Sequence, residues 1–178
     1  MNEQNTKTKI NWCKEIFELL DSVVISAVCV LVIFTLLFRI FVVDGPSMDP
    51  TLSDGERLVV SNLFYEAKQG DIICFYSPNR KSVLVKRVIA TEGQTVDISG
   101  GLVYVDGKQL DESYITGVET FARSTQLPYT VEEGRVFVLG DNRGESMDSR
   151  YIEIGTVSEN DILGRLVLRL FPRFGTVR

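Results

Sequence analysis

The chain of 178 residues carries 24 acidic and 19 basic side chains, and its net charge of −5 at neutral pH argues against a nucleic-acid partner. It has no histidine and three scattered cysteines, so the usual ligand sets for zinc, haem and iron–sulfur sites are nearly empty and neither a metal nor a cofactor is expected. With 44% hydrophobic and 24% charged residues, it should fold as one domain or as one domain with a small subdomain.

Residues 22–43 form an apolar run that contains a single charge, Arg39. An α-helix over the whole run would span roughly 33 Å, enough for a hydrocarbon core of about 30 Å. No polar face suits a buried core helix. The sequence Val42-Val43-Asp44-Gly45-Pro46 offers no small-x-small site, which disfavours a cleaved secretory signal. The run is therefore predicted to be an uncleaved transmembrane signal anchor.

Basic residues are unevenly distributed around this run. The three that precede it closely are Lys7, Lys9 and Lys14. Only Arg57 lies within the about twenty following residues that the positive-inside rule counts. We therefore expect a single-pass protein of the cell membrane, with residues 1–21 in the cytoplasm and residues 44–178 on the extracytoplasmic side of the lipid bilayer.

Beyond the anchor, short β-type runs alternate with turn residues, a pattern typical of an all-β sandwich or barrel. The predicted strands are 57–62, 71–76, 83–91, 95–98, 102–105, 135–139 and 165–170. Asp106-Gly107 predicts a hairpin over 103–110, and residues from about 97 to 135 are predicted to form a smaller inserted subdomain. The fold class is mainly β: one N-terminal transmembrane helix followed by an all-β domain with a small β insertion.

The C-terminal stretch 163–171 alternates only in part and leaves two interpretations open. It could be a closing strand with one face in the core. It could instead be an apolar edge that dips into the lipid surface.

Ser47 stands in a Gly-Pro turn directly after the apolar run. A serine in such a turn usually has a structural role, and that interpretation remains open here. If Ser47 is a nucleophile, its general base cannot be the usual imidazole, because the chain has no histidine.

Lys86 is the candidate base. In the predicted strand 83–91 it shares a face with Leu84 and Val88, whereas Arg87 points to the other, equally apolar face. At least one of these cations is therefore directed into apolar surroundings, where desolvation lowers a lysine pKa and a neutral amine can take the proton of a serine hydroxyl. The alternative is a lysine whose charged end reaches water from the end of the strand.

A polar loop, 140–150, follows the predicted strand 135–139. Two aspartates and two arginines in it could form two carboxylate–guanidinium pairs that hold the loop rigid. They are Asp141, Arg143, Asp148 and Arg150. Ser146 lies among them and could exchange a hydrogen bond with a nearby amine. A generic polar loop and a rigid support for a serine–lysine site both remain possible.

Together these segments resemble the bacterial type I signal peptidases, the membrane-bound serine proteases that remove signal peptides from exported preproteins. The matching pieces occur in the family's order: Gly45–Leu52, Gly70–Phe75 with Pro78, Lys86–Ala90 and Gly140–Arg150. Lysine at position 86 is similar to the prokaryotic type, because relatives of the endoplasmic reticulum have histidine there. The single span and the short stretch between Lys86 and Gly140 resemble Gram-positive members.

The resemblance implies a role for each matching position. Ser47 would be the nucleophile, its backbone N–H the oxyanion donor, and Lys86 the general base that later protonates the leaving amine. Ser146 would hydrogen-bond and orient the lysine. The four charged residues of the loop would form the family's structural salt bridges. Gly45 departs from Gram-negative members, which have a serine hydroxyl there as a second oxyanion donor, and implies a backbone or water substitute.

The resemblance also implies the substrate and the surroundings of the site. Secretory preproteins would bind as extended strands, with a small-x-small motif such as Ala-x-Ala before the cleaved bond. Pockets for Ala-sized side chains are expected from residues that flank the catalytic pair in sequence, with core packing as the alternative for each: Val43, Met48, Leu52, Leu84 and Val85. The anchor would place the site at the membrane surface, near the protein translocon.

Other functions remain open beside this one. The main alternative is a specialised signal-peptidase-like enzyme or assembly factor dedicated to one pilus or surface-protein substrate. A catalytically silent membrane-tethered module and a self-cleaving serine–lysine regulator fit less well. The first would be favoured by loss of Ser47 or Lys86, and the second requires a DNA-binding domain where this chain has an anchor.

Overall fold

The computed structural model describes residues 3–115 and 117–177 and divides into two compact units between Leu37 and Phe38. The first unit contains one helix, α1, Glu3–Leu37. Within it, Lys14–Thr35 has a mean hydropathy of 2.5 and is long and apolar enough to cross a membrane. Its side chains are exposed rather than packed in a protein core, as expected for a lipid-facing helix.

The predicted helical segment 22–43 is wrong at both ends. The helix begins at Glu3 and stops at Leu37, and the next five residues form a β-strand, Phe38–Val42. This strand pairs antiparallel with Arg57–Ser61, which satisfies its backbone groups in a sheet. Aromatic and β-branched residues suit a strand as well as a membrane helix, so the apolar composition did not reveal the boundary.

Eleven strands follow the helix in the described part of the chain. In chain order they are β1 Phe38–Val42, β2 Arg57–Ser61, β3 Ile72–Ser77, β4 Ser82–Ala90, β5 Thr95–Ser99, β6 Leu102–Val105, β7 Lys108–Gln109, β8 Tyr129–Thr130, β9 Arg135–Leu139, β10 Val157–Ser158 and β11 Ile162–Phe171. Two short 3₁₀ helices span Ser113–Ile115 and Glu159–Asp161. The mainly β fold class is confirmed, and all seven strands expected from the sequence are present with their ends shifted by at most three residues.

The strands form two antiparallel sheets. The larger sheet has the order β1-β2-β11-β3-β4-β9-β10, and the smaller has the order β7-β6-β5-β8. The smaller sheet comes from the chain between β4 and β9 and includes the expected hairpin, in which Tyr104 pairs with Gln109 and Val105 with Lys108. A buried apolar cluster that includes Val103 and Phe137 packs the two sheets together.

Strand β11 lies inside the larger sheet. It pairs with β2 on one side and with β3 on the other. Leu166 packs against the core, whereas Phe171 at the end of the strand is exposed. The interpretation as a strand with one face in the core is therefore confirmed, and β11 does not lie at an edge of the larger sheet.

A second buried cluster supports the segment that contains Ser47. It comprises Val43, Met48, Leu52, Leu58, Val60, Ile72 and Cys74, all buried. Since Met48 and Leu52 are fully buried on either side of a short polar stretch, they fix this segment on the sheet. The turn that contains Ser47 is thus fixed by burial of its own neighbouring side chains, Met48 and Leu52, in the core.

Candidate active site

Ser47 occupies the second position of a hydrogen-bonded turn that follows β1. The Asp49 N–H donates to the Pro46 carbonyl at 3.1 Å, and the Leu52 N–H donates to the Met48 carbonyl at 2.9 Å. Gly45 enters this turn with φ +83°, a left-handed conformation that favours glycine. Its N–H donates to Asp54 Oδ1 at 2.8 Å.

Lys86 and Ser47 meet directly. Lys86 Nζ lies 2.8 Å from Ser47 Oγ and 2.9 Å from the Val85 carbonyl oxygen. Strand β4 carries Lys86 opposite Ile73 of β3, within the sheet, and only 2% of the residue's surface is exposed. The alternative in which the Lys86 amine extends into water is therefore excluded. The structure brings together the two residues that the sequence had singled out, which lie 39 positions apart.

Burial of Lys86 changes its acid–base behaviour. Desolvation disfavours the ammonium form and lowers the pKa of Lys86 from its ordinary value of 10.5 to about 8. The negative charge of Asp148 opposes this pKa shift, Arg80 adds to it, and Asp141 opposes it again. A lysine with this pKa is partly neutral near pH 8, and a neutral amine at hydrogen-bond distance can accept the proton of a hydroxyl group.

The charged loop 140–150 forms its ion pairs differently from the expected pattern. Only Asp148 and Arg150 pair within the loop, with Arg150 Nε 2.8 Å from Asp148 Oδ1. Arg143 reaches out of the loop to Glu112, at 2.5 Å. The two pairs expected within the loop do not both form, because Asp141 and Arg143 pair with residues elsewhere in the fold.

Asp141 finds its partner on strand β4. Arg87 Nη2 lies 2.7 Å from Asp141 Oδ2, and Arg87 Nε lies 2.9 Å from Asp141 Oδ1. Thr51 Oγ1, four residues after Ser47, donates to the same carboxylate at 2.5 Å. Tyr114 stacks over the guanidinium group of Arg87 at 3.9 Å. Arg87 and Thr51 are structural residues of the site that the sequence did not identify.

Ser146 does not hydrogen-bond Lys86 in this structure. Its hydroxyl is buried and has no hydrogen-bond partner among the described residues. The expected contact between Ser146 and the lysine is not formed in this arrangement, in which the Val85 carbonyl accepts from Lys86. Ser146 nevertheless lies beside the site, because a Cβ built on Gly140 would be 2.2 Å from Ser146 Oγ and 2.5 Å from the Ser47 carbonyl oxygen.

A cleft of about 70 Å³ opens beside Ser47 and Lys86. Of the five expected pocket residues, Val43, Leu84 and Val85 line it. Met48 and Leu52 do not, because their side chains point into the core and are fully buried. The remaining lining residues are Phe41, Val42, Asp44 and Val83. The sequence did not identify Phe41 and Val42, because their strand was assigned to the anchor.

A larger cavity of about 530 Å³ is lined by Arg87 and Tyr114 and includes neither Ser47 nor Lys86. Cavity size therefore does not identify the site in this protein. The Ser47–Lys86 contact identifies it, because it joins a hydroxyl group to a buried amine with a lowered pKa.

Comparisons with known proteins agree with this geometry. A signal peptidase I of Bacillus licheniformis is 35% identical over the whole chain and 98% of its own length. Signal peptidase IB of Staphylococcus aureus strain COL is 32% identical over 89% of the chain and 91% of its own length. The crystal structure of a signal peptidase I from Enterococcus faecalis V583 aligns with a TM-score of 0.51 and 35% identity, over 58% of this chain and 98% of that one.

The family model described as signal peptidase, peptidase S26, matches residues 16–171. This match covers nearly all of the membrane-type helix segment, the Ser47 turn, Lys86 and the loop 140–150. The chain therefore belongs to the peptidase S26 family and is one of its bacterial type I signal peptidases.

Proposed function

We propose that this membrane-anchored serine protease cleaves signal peptides through Ser47 as nucleophile, with Lys86 as general base and an acyl-enzyme as intermediate. The observation that carries this proposal is the 2.8 Å contact between Lys86 Nζ and Ser47 Oγ in a buried setting. It pairs a hydroxyl group with an amine whose pKa is lowered to about 8.

The reaction begins from the neutral form of Lys86. The Val85 carbonyl accepts one N–H of the amine, and Nζ lies 2.8 Å from Ser47 Oγ. In the neutral form of the amine, the Ser47 hydroxyl would donate to the nitrogen lone pair across this contact. As Ser47 Oγ attacks the carbonyl carbon of the scissile peptide bond, its proton passes to Lys86 Nζ. The resulting ammonium then donates that proton to the leaving amine as the C–N bond breaks. The signal peptide remains as an ester on Ser47, and the mature protein leaves with a free N-terminus.

Hydrolysis of the ester repeats these roles with water. Neutral Lys86 takes a proton from a water molecule as its oxygen attacks the ester carbonyl carbon. The proton then returns to Ser47 Oγ as the ester bond breaks, and the signal peptide leaves with a free carboxyl group. Lys86 thus serves as base and acid in both halves of the reaction, as a histidine does in other serine proteases.

The backbone N–H of Ser47 is the proposed donor to the oxyanion. It donates no hydrogen bond to any described residue, so it is free to bind the developing negative charge. Gly45 cannot add a side-chain donor, and its own N–H is already bonded to Asp54. Among the groups of the turn, the Ser47 N–H is therefore the one that we assign to this role.

Ser146 is proposed to support the charged form of Lys86. The ammonium has three N–H groups, and two of them have partners in the structure, Ser47 Oγ and the Val85 carbonyl. The Ser146 hydroxyl is buried and unpartnered among the described residues, so it is a suitable acceptor for the third. Three ion pairs would keep this loop in place: Asp141 with Arg87, Arg143 with Glu112, and Asp148 with Arg150.

The substrate is proposed to bind as an extended strand in the cleft between β1 and β4. Strand β1 is at one edge of the larger sheet, and the pairing of β4 with β9 begins only at Arg87. Both walls of the cleft therefore offer backbone groups to an added strand. A volume of about 70 Å³ lined by Val43, Leu84 and Val85 suits alanine-sized side chains, which supports a small-x-small specificity.

The same proposal places the catalytic unit outside the cytoplasm. Three lysines, at 7, 9 and 14, precede the membrane-type segment Lys14–Thr35 or stand at its start, which favours a cytoplasmic N-terminus. The domain begins at Phe38, within three residues of the end of that segment, so the cleft would remain near the lipid surface. Preproteins emerging from the translocon would then be cleaved locally.

A cleavage assay tests this function. Detergent-solubilised full-length protein would be incubated with a secretory preprotein that carries Ala-x-Ala, beside the variants Ser47→Ala and Lys86→Ala. We expect wild type to cut after the second Ala and both variants to lose activity by at least about 10³-fold. Activity of Ser47→Ala would refute the nucleophile, and activity of Lys86→Ala would refute the base. A folded wild type that cuts only one dedicated surface or pilus protein would favour the specialised enzyme.

A further inference from the structure

Asn142 holds both peptide groups that flank the Cα of Ser47. Its backbone N–H donates to the Ser47 carbonyl at 3.1 Å, and its side-chain Nδ2 donates to the Pro46 carbonyl at 3.1 Å. The two segments are 96 residues apart in sequence. Residue 142 is therefore a clamp that joins the charged loop to the turn of the nucleophile.

The contact of the side chain has a specific geometric consequence. The Pro46 carbonyl and the Ser47 N–H belong to one planar peptide group, in which they point in opposite directions. Any hydrogen bond that fixes the carbonyl therefore also fixes the direction of the N–H. The carbonyl accepts one bond from Asp49 inside the turn and one from Asn142 outside it. Of these two bonds, only the one from Asn142 connects the Pro46–Ser47 peptide group to a segment outside the turn, the loop 140–150.

The same contact also polarises the peptide group. A carbonyl that accepts two hydrogen bonds draws electron density from its amide, which strengthens the N–H as a donor. This effect matters here because Gly45 brings no second oxyanion donor and its own N–H is occupied by Asp54. A single backbone donor depends more on its orientation than one of a pair would.

We propose that the side-chain amide of Asn142 is a positioning residue for the oxyanion hole, acting through the Pro46–Ser47 peptide group. This inference rests on the proposed role of Ser47. Asn142 does not touch the substrate in this role, and it makes no hydrogen bond to Lys86 among the described contacts. Its effect should therefore appear in the stabilisation of the oxyanion and not in the strength of the base.

The chain allows this side chain to be tested separately from its backbone. The Asn142 N–H to Ser47 and the Asn142 carbonyl, which accepts from Glu145 and Ser146, are main-chain contacts that every substitution retains. Asn142→Ala removes the amide. Asn142→Asp keeps the shape but replaces the donor by a carboxylate that repels the Pro46 carbonyl. Asn79→Ala is a matched control, because Asn79 also donates from its side-chain amide to a backbone carbonyl, that of Glu153, at 2.8 Å.

The experiment compares kinetics with inhibitor binding in the full-length solubilised protein. We expect Asn142→Ala and Asn142→Asp to lower kcat by about 10- to 100-fold, less than the loss of a direct oxyanion donor, with KM changed by less than about twofold. A peptide trifluoromethyl ketone, which forms a tetrahedral oxyanion adduct with a serine, should lose affinity by a similar factor. The same peptide without the ketone should bind as it does to wild type, and Asn79→Ala should match wild type in every measurement.

Several outcomes would overturn the inference. An unchanged kcat in both variants would show that the amide is dispensable. An equal loss of affinity for the ketone and for the plain peptide would assign Asn142 to substrate binding. A shifted pKa in the pH profile of kcat/KM of Asn142→Ala, which adds no charge, would assign it to the base. Retained activity of Ser47→Ala would instead refute the proposed nucleophile. Because Ser47→Ala is measured beside the Asn142 variants, this result can be told apart from one that refutes only the role of Asn142. Because Asn142→Asp preserves the side-chain volume, it carries the test if Asn142→Ala is unstable.

Discussion

Arg87 and Asp141 form a two-point ion pair inside the protein, with Nη2 2.7 Å from Oδ2 and Nε 2.9 Å from Oδ1. The two side chains are only 3% and 0% exposed. Arg87 follows Lys86 on β4, and Asp141 precedes Asn142, which binds the turn of Ser47. The pair therefore connects the strand of the proposed base with the loop that holds the proposed nucleophile.

Breaking this pair should cost much of the stability of the domain. Arg87→Met leaves the Asp141 carboxylate buried without its cation, and Asp141→Asn leaves the guanidinium group without its anion. Each variant should lose about 3–5 kcal/mol of unfolding free energy, measured by urea denaturation. The double variant leaves no unpaired buried charge, so its loss should be clearly smaller than the sum of the two single losses. Strictly additive losses would contradict a direct pair.

Activity should rise with pH as Lys86 loses its proton. Burial lowers the pKa of Lys86 to about 8, and only the neutral amine can act as base. We expect kcat/KM to increase about tenfold per pH unit below pH 8 and to level off above it. A profile that stays flat between about pH 6 and 9 would exclude a base that titrates in this range.

The lowered pKa also predicts how stability depends on pH. In the unfolded chain Lys86 keeps its proton up to its ordinary pKa of 10.5, whereas in the folded protein it releases the proton near pH 8. Between these values the unfolded state binds more protons, so the stability of wild type rises with pH across this window. Below pH 8 both states are protonated, and this gain is absent.

Lys86→Met isolates this contribution. The unfolding free energy of wild type minus that of Lys86→Met should increase by about 3 kcal/mol between pH 8 and pH 10.5 and stay constant below pH 7. Urea unfolding of both proteins at several pH values measures the difference, in which all other titrating groups cancel. A difference independent of pH would mean that the folded protein does not perturb this lysine.

Gly140 is predicted to be essential for the geometry of the site. A Cβ at this position would lie 2.2 Å from Ser146 Oγ and 2.5 Å from the backbone carbonyl oxygen of Ser47. Since a backbone atom cannot swing away as a flexible side chain can, Gly140→Ala should displace the Ser47 turn and lower kcat/KM at least about 100-fold. Cleavage of the preprotein by purified variant measures this.

Gly144→Ala is the matched control in the same loop. A Cβ there would meet only Asn142 Oδ1, at 4.0 Å, which is an ordinary contact distance. Its activity should stay within about threefold of wild type. If both variants lost activity equally, the loop would be sensitive to any alanine and the close approach of residue 140 to Ser47 would not explain the effect.

The local pattern of the sequence predicted the strands well, and it singled out Ser47 and Lys86, which meet in the structure. Alternation around Lys86 and Arg87 indicated that at least one of these cations is buried, and both side chains are almost fully buried. The absence of histidine, taken with the motif around Ser47, pointed to lysine as the base. Each of these features is a pattern of neighbouring residues, which can be recognised without the tertiary fold.

Contacts between distant segments were not predictable in the same way. Asp141 and Arg87 are 54 residues apart, and Arg143 and Glu112 are 31 apart. From the sequence of loop 140–150 alone, its charged residues could be paired only with one another. This prediction is correct only for Asp148 with Arg150. The boundary at Phe38 failed for a related reason, because the partner that makes a strand of this apolar segment is β2.

The pocket residues show the same limit. Met48 is closer to Ser47 in sequence than Val43 is, and Leu52 is only one position farther away. Both are nevertheless fully buried in the core, and of these three residues only Val43 lines the cleft. The turn between Pro46 and Asp49 decides which side chains point inward, and its geometry depends on contacts with residue 142.

The most direct test of the central claim is to detect the acyl-enzyme on Ser47. Wild type would be mixed with an Ala-x-Ala preprotein, quenched in acid within the first turnover, digested and examined by mass spectrometry. Acid protonates Lys86 and so removes the base that hydrolysis of the ester needs. We expect the peptide containing Ser47 to carry the mass of the signal peptide in wild type and to be unmodified in Ser47→Ala. Signal-peptide cleavage that continues in Ser47→Ala, or an adduct on another residue of wild type, would contradict the assignment.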